Sequence, residues 1–168
     1  LELGGKTLQT GEFRGIAKVF EDEPSAMAAS QSGVIVGGDV VVVRNVGPKG
    51  GPGMPEMVML TVELQGRGLG KDVALITDGR FSGVSHGILI GHICPEAAEG
   101  GPLAAVVDGD TIIIDPVNRT LNVAIEDDEL DQRMTKIEPM DLPNSIPQGS
   151  VLRRYARQVS SAHYGCVQ

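Results

Sequence analysis

The sequence predicts a mixed β/α domain built chiefly on strands, a β-barrel or sandwich carrying short peripheral helices. Three observations point there. About six or seven short runs rich in Val and Ile are bounded by Gly, Pro or Asp. Few stretches carry helical spacing, and those are short. The core must be aliphatic, because aromatic residues are 3% of the chain and Trp is absent, while apolar residues reach 41%.

Residues 1–12 are rich in Gly and Thr and carry no period. Phe13 to Phe20 alternates loosely, as a half-buried strand does. Asp22 reads as an N-cap, with Pro24 in the first turn and Ala and Met filling a helix to about Gln31. Gly37-Gly38-Asp39 is turn chemistry, and the β-branched run Val40 to Arg44 suits a buried strand. Asn45 to Gly53 is a loop of glycines and prolines. From Met54 to about Gly66, Met57, Leu60 and Leu64 recur at helical spacing, and the Gly66–Gly70 cluster stops them.

Val73 to Thr77 is the next strand, and the turn Asp78 to Gly83 leads towards a short helix over Ser85 to Ile90. Beyond Gly100-Gly101-Pro102, strands are expected at Leu103–Val107, Thr111–Ile114 and Thr120–Ile125. Asp108-Gly109-Asp110 and Asp115 to Arg119 separate them with hairpin chemistry. Glu126 to Arg133 is an acidic short helix. Glu138 to Gly149, with three prolines, reads as a linker. Ser150 then caps a helix to about Ser160, with Val151, Leu152, Tyr155 and Val159 on one stripe. The expected organisation is one domain over 1–137, with 138–168 a Pro-containing linker and C-terminal helix packed on it. No internal repeat is visible.

The net charge of −8 argues against nucleic-acid binding, which needs a cationic face to displace counterions. The strongest basic pair, Arg153-Arg154, is expected on a helix face. No run is long enough to span a bilayer and no signal peptide is legible, so no membrane partner is expected. Two cysteines, Cys94 and Cys166, make neither a disulfide framework nor a four-ligand metal site. A reducing compartment is expected, the cytoplasm or a eukaryotic stroma or matrix. The start at Leu1, without Met, reads as a domain cut from a longer protein.

Two candidate residues stand out. Ser82 follows a strand and a turn. It is either a turn serine or N-cap for the Ser85–Ile90 helix, or a hydroxyl presented outward for chemistry. Arg80 two residues before it rules out the Gly-x-Ser-x-Gly elbow, and no spacing supports a triad with His86 or His92. Glu56 follows Pro55 near a helix start. It is either a favourable charge against the helix dipole or one carboxylate ligand of a hard cation such as Mg²⁺. The loop Gly47 to Gly53 offers backbone N–H groups to an anion but is no Walker A loop. Cys94, before Pro95 and after an apolar stretch, reads as a buried inert thiol.

Four blocks in order carry a resemblance: Gly47-Pro-Lys-Gly-Gly-Pro-Gly-Met-Pro-Glu-Met57, Thr77-Asp-Gly-Arg-Phe-Ser-Gly83, Gly91-His-Ile-Cys-Pro-Glu96 and Gly100-Gly-Pro102. Together they resemble the C-terminal domain of the dihydroxy-acid/phosphogluconate dehydratase family, over about Phe13 to Val123, with a weaker echo at Gly165-Cys166. The resemblance implies a swivelling β-barrel like domain 4 of aconitase. It also implies loss of water from a 2,3-dihydroxy acid to give a 2-oxo acid, with Ser82 as base and Glu56 as a Mg²⁺ ligand. An iron–sulfur cluster is implied as well, its cysteines in a larger N-terminal domain absent from this chain, so Cys94 and Cys166 inherit no cluster role.

The implied partners are the small-molecule 2,3-dihydroxy acid, the N-terminal domain and, at full length, a second copy in a homodimer. The isolated 168 residues are expected to be inactive. The Gly-Pro-Gly-Met-Pro-Glu-Met run and Phe81 favour the branched-chain amino-acid substrate, of the 2,3-dihydroxyisovalerate type. Asn45-Val46 and Val84 are features shared with the sugar-acid (aldonate) dehydratases. A non-catalytic module holding a small carboxylate on the same loops is the alternative from another class.

Overall fold

The computed structural model describes residues 11–138, 140, 142 and 146–168. Residues 1–10 and part of the expected linker therefore lie outside the described residues. Six strands, β1 (Phe13–Phe20), β2 (Asp39–Val43), β3 (Ala74–Thr77), β4 (Ile88–Ile90), β5 (Thr111–Asp115) and β6 (Thr120–Val123), form one sheet in the order β4-β3-β2-β1-β5-β6. Neighbours from β4 to β1 pair in parallel; β1–β5 and β5–β6 pair antiparallel. Helices α1 (Glu23–Gln31) and α2 (Met59–Gly66) make the crossovers, and α3 (Asp127–Met134) and α4 (Val151–Gln158) follow the sheet.

The expected mixed β/α class holds, but the sheet is an open one rather than a closed barrel or a sandwich. Strand and helix alternate over the first half, which is the parallel β/α pattern, and β4 and β6 remain unpaired edges. The sheet nonetheless curls like half a barrel, because Leu89 and Ile90 of β4 and Leu121 and Val123 of β6 line one cavity.

Register explains the two cores. Val40, Val42, Ala74, Ile76, Ile88 and Ile90 face the concave side with Ile112 and Ile114, while Val41, Val43, Leu75 and Leu89 face α1 and α2. Alternation sends successive residues to opposite faces, so β2 and β3 are buried throughout. From α2 come Leu60 and Leu64, one turn apart and both buried. Burying one such leucine stabilises the fold by about 1.5–3 kcal/mol.

Local signals decided the helix starts. Asp22 accepts the Ser25 N–H and Ser150 accepts the Arg153 N–H, each as an N-cap. Three expectations fail. Leu103–Val107 is not a strand: its first three residues belong to a 3₁₀ turn over Pro102–Ala105 that buries Leu103 and Ala105. Ser85–Ile90 is not a helix, since Ile88–Ile90 is the edge strand β4. On α4 the buried residues are Arg153 and Ala156, with Val159 buried just past its end, whereas Val151 and Leu152 are exposed. Arg153 turns inward, donating to the carbonyls of Ile146 (2.8 Å) and Leu142 (3.2 Å).

The loop after β2 is held by two buried carboxylates. Asp78, just past β3, accepts N–H bonds from Asn45 (3.0 Å), Val46 (3.0 Å) and Ala97 (2.9 Å). Glu96 accepts the N–H of Lys49 (3.0 and 3.1 Å to its two oxygens) and of Gly50 (2.9 Å). The loop does cradle an anion, and the anion is Glu96's own carboxylate. Gly47 has to lack a side chain, because a Cβ there would stand 2.6 Å from Glu96 Oε2.

Burial pushes both carboxyls above their ordinary range, against the N–H bonds that pull them down. A folded value above the unfolded one means that the stability it contributes is complete below the unfolded value and is lost as pH rises through the folded one. Glu96→Gln, neutral at every pH, lacks this dependence. The urea midpoint of the native protein should therefore exceed that of Glu96→Gln by a margin that narrows from about pH 4 to neutrality. A margin that is constant or widens would contradict the burial assigned to Glu96.

Candidate active site

β3 delivers the chain through Asp78 to a tight turn in which the Ser85 N–H reaches the Ser82 carbonyl at 3.0 Å. A strand, not a helix, follows, so Ser82 caps no helix, while the reading of it as a turn serine holds, since it opens this turn. Its Oγ is approached by the Val84 N–H only at 3.5 Å, the outer limit of a hydrogen bond. The turn is tied to α2 by the Thr61 and Ser85 hydroxyls, 3.2 Å apart.

Glu56 is not inside a helix either, since α2 begins at Met59. It forms a one-residue parallel bridge with Arg80, in which the Met57 N–H donates to the Arg80 carbonyl at 3.0 Å. The Arg80 Nε–H donates to the Met54 carbonyl at 2.5 Å. One arginine thus grips both ends of the Met54–Met57 segment, and Ser82 lies two residues further on. The sequence alone showed Arg80 only as a departure from the hydrolase elbow. Glu56 is exposed, and among the described residues its carboxylate takes no hydrogen bond or ion pair.

Ser82 lines a cavity of about 1230 Å³ on the concave side of the sheet. Its walls are mainly aliphatic, including Ile76, Ile90, Leu103, Ile112 and Leu121, with polar points at Ser85, His86, His92, Asn122 and Asp127. Nothing local in the sequence joined β6 and α3 to Ser82; the curl of the sheet does. His86 and His92 share the cavity, but among the described residues neither imidazole hydrogen-bonds Ser82, so no triad forms. The His92 backbone lies in the left-handed region (φ 57°), with its N–H on the Gly79 carbonyl at 2.9 Å.

Two cofactors were implied by resemblance. Glu56 suits Mg²⁺, a hard cation that takes one or two carboxylates and otherwise keeps water or substrate oxygens. Among the described residues no group of three or more His, Cys, Asp or Glu can hold a metal, so these residues alone form no metal site. The cysteines do not fit an iron–sulfur cluster. Cys94, half-buried rather than buried, donates its thiol to the His92 carbonyl at 3.1 Å. Burial pushes the Cys166 thiol up, with Glu96 and Cys94 adding to the effect, which disfavours the thiolate a cluster needs.

The family profile described as "Dihydroxy-acid/6-phosphogluconate dehydratase C-terminal" matches residues 3–166. A dihydroxy-acid dehydratase of Aeropyrum pernix is 53% identical over 156 residues, which is 93% of this chain and 28% of that protein. Those of Francisella tularensis subsp. novicida and Geobacter sp. strain M21 are each 50% identical, over 92% and 97% of this chain. The chain spans only 27% and 29% of the length of these last two. It belongs to the dihydroxy-acid/6-phosphogluconate dehydratase C-terminal family.

Proposed function

We propose that the chain is the C-terminal catalytic domain of a hydro-lyase that converts 2,3-dihydroxy acids to 2-oxo acids, completed by an N-terminal part and working in the cytoplasm or an equivalent organelle compartment. The observation that carries this reading is the Arg80 bridge, which brings Glu56 and Ser82 onto neighbouring loops, Ser82 opening on a largely aliphatic cavity. In the reaction a proton leaves C2 and hydroxide leaves C3. The resulting enol tautomerises to the 2-oxo acid. Ser82 Oγ, ionised, takes the C2 proton, and Glu56 would be one ligand of a Mg²⁺ ion. When bound, that ion would supply positive charge that stabilises the anion formed on proton loss and favours an ionised neighbour. The curled sheet is read as the half of a swivelling β-barrel, whose motion would bring these loops to the N-terminal part.

The cavity favours a substrate with a branched aliphatic side chain, of the 2,3-dihydroxyisovalerate type, over a sugar acid. The residues that suggested a sugar acid lie outside its lining. The Asn45 side chain donates to Glu21 at 2.5 Å, Val46 packs over Gly79, and Val84 is exposed. A carboxylate-binding module is disfavoured, because the N–H groups such a module would use are taken by Asp78 and Glu96.

In the full-length enzyme, Ser82→Ala should lower kcat by about 10²–10⁴-fold with fold and cluster intact. Formation of 2-oxo acid from 2,3-dihydroxyisovalerate under anaerobic conditions measures it, and activity within about threefold of the parent would remove Ser82 as base. Glu56→Gln keeps the shape and one oxygen but loses the charge a hard cation prefers. The Mg²⁺ concentration for half-maximal activity should rise while the cluster's visible absorbance stays unchanged. A superimposable titration would return Glu56 to an ordinary surface acid.

A further inference from the structure

We propose that Glu96, with Asp78, is a positioning residue of this site: the two carboxylates seat the loop Asn45–Gly50 so that Glu56 arrives beside the Ser82 turn. The inference rests on the reading of Ser82 and Glu56 above and adds to it. Asp78 is wholly buried and Glu96 is 2% exposed, yet among the described residues no arginine or lysine forms an ion pair with either. Their partners are backbone N–H groups of Asn45, Val46, Lys49, Gly50 and Ala97. Burying two neighbouring carboxylates without a cation costs stability, so stability alone does not account for them. What they produce is a fixed path for a glycine-rich loop that has little side-chain packing beyond Val46 and Pro48 to fix it.

Space is as restricted as hydrogen bonding. A Cβ at Gly50 would meet the Asn45 carbonyl oxygen at 2.8 Å, and one at Gly51 would meet Val46 Cα at 2.8 Å. The loop is folded tightly on itself around the Glu96 carboxylate. Four residues past Gly50 the chain reaches Met54, where Arg80 takes over. Asp78 and Arg80 belong to the same turn that carries Ser82. Both ends of the path to Glu56 are therefore referred to one short segment, and a shift of the Glu96 seat is passed to Glu56.

The test exploits the contact at Gly47. In the full-length enzyme Gly47→Ala sets a methyl against Glu96 Oε2, and Glu96→Asp withdraws the carboxylate from the loop. The double variant G47A/E96D fits the methyl into the space vacated. Each single variant should weaken Mg²⁺ binding by about 10- to 100-fold, the size seen when the support of a metal ligand is disturbed. The binding is read by calorimetry with Mg²⁺ alone and, separately, by the Mg²⁺ dependence of activity. The double variant should recover most of that loss. Glu96→Gln, which keeps length and one oxygen, guards against a single variant that does not fold, and it should bind Mg²⁺ more weakly than the parent.

Variants that lose thermal stability but bind Mg²⁺ like the parent overturn the positioning role, as does a double variant whose losses simply add. Glu56→Gln separates the two levels. If it too leaves Mg²⁺ binding unchanged, the site reading itself has failed. If it alone weakens binding, only the role of Glu96 has.

Discussion

The seating of one backbone loop on two buried carboxylates is the constraint on which the rest of the site depends. Six strands and two crossover helices provide a rigid floor, but none of them carries Glu56 or Ser82. Both residues lie on loops leaving the ends of parallel strands, where side chains from separate segments converge. Loops with this much glycine lose much conformational entropy on ordering. Asp78 and Glu96 offset it with charge-assisted N–H bonds, which are stronger than those between neutral groups.

The same economy explains why positive charge is scarce around the loop. Lys49 reaches Glu99 at the surface, not Glu96. Arg44 spends its guanidinium on Glu21 and on the carbonyls of Ala104 and Val106. The buried carboxylates thus stay bound to main chain alone, and the exposed Glu56 carboxylate remains open to a cation from outside. The Ser82 turn borders a cavity with largely aliphatic walls.

What the sequence disclosed followed the range of each signal. The caps at Asp22 and Ser150 were legible, because a cap is a contact across three residues. The β-branched run of β2 was legible from composition. Ile88–Ile90 was read as helix and Leu103–Val107 as strand, since a short buried apolar run shows no period to separate the two. The parallel order β4-β3-β2-β1 was missed because pairing is a long-range property, although the strand–helix alternation from Phe13 to Thr77 carried it. Glu56 and Ser82 were singled out from motifs, but their neighbourhood through Arg80 needed the fold. Glu96 and Asp78 stood inside the same motifs unread. For Glu96 the available hint was an acid in an apolar, glycine-rich block with no Lys or Arg near in sequence.

Amide hydrogen exchange tests the central claim most directly. If the carboxylates of Asp78 and Glu96 hold the loop, the amides of Asn45, Val46, Lys49, Gly50 and Ala97 exchange as slowly as those of β2 and β3, although the first four lie in a glycine-rich connection. Exchange of these amides at the rate of an exposed loop, while the β2 and β3 amides stay protected, would contradict the account.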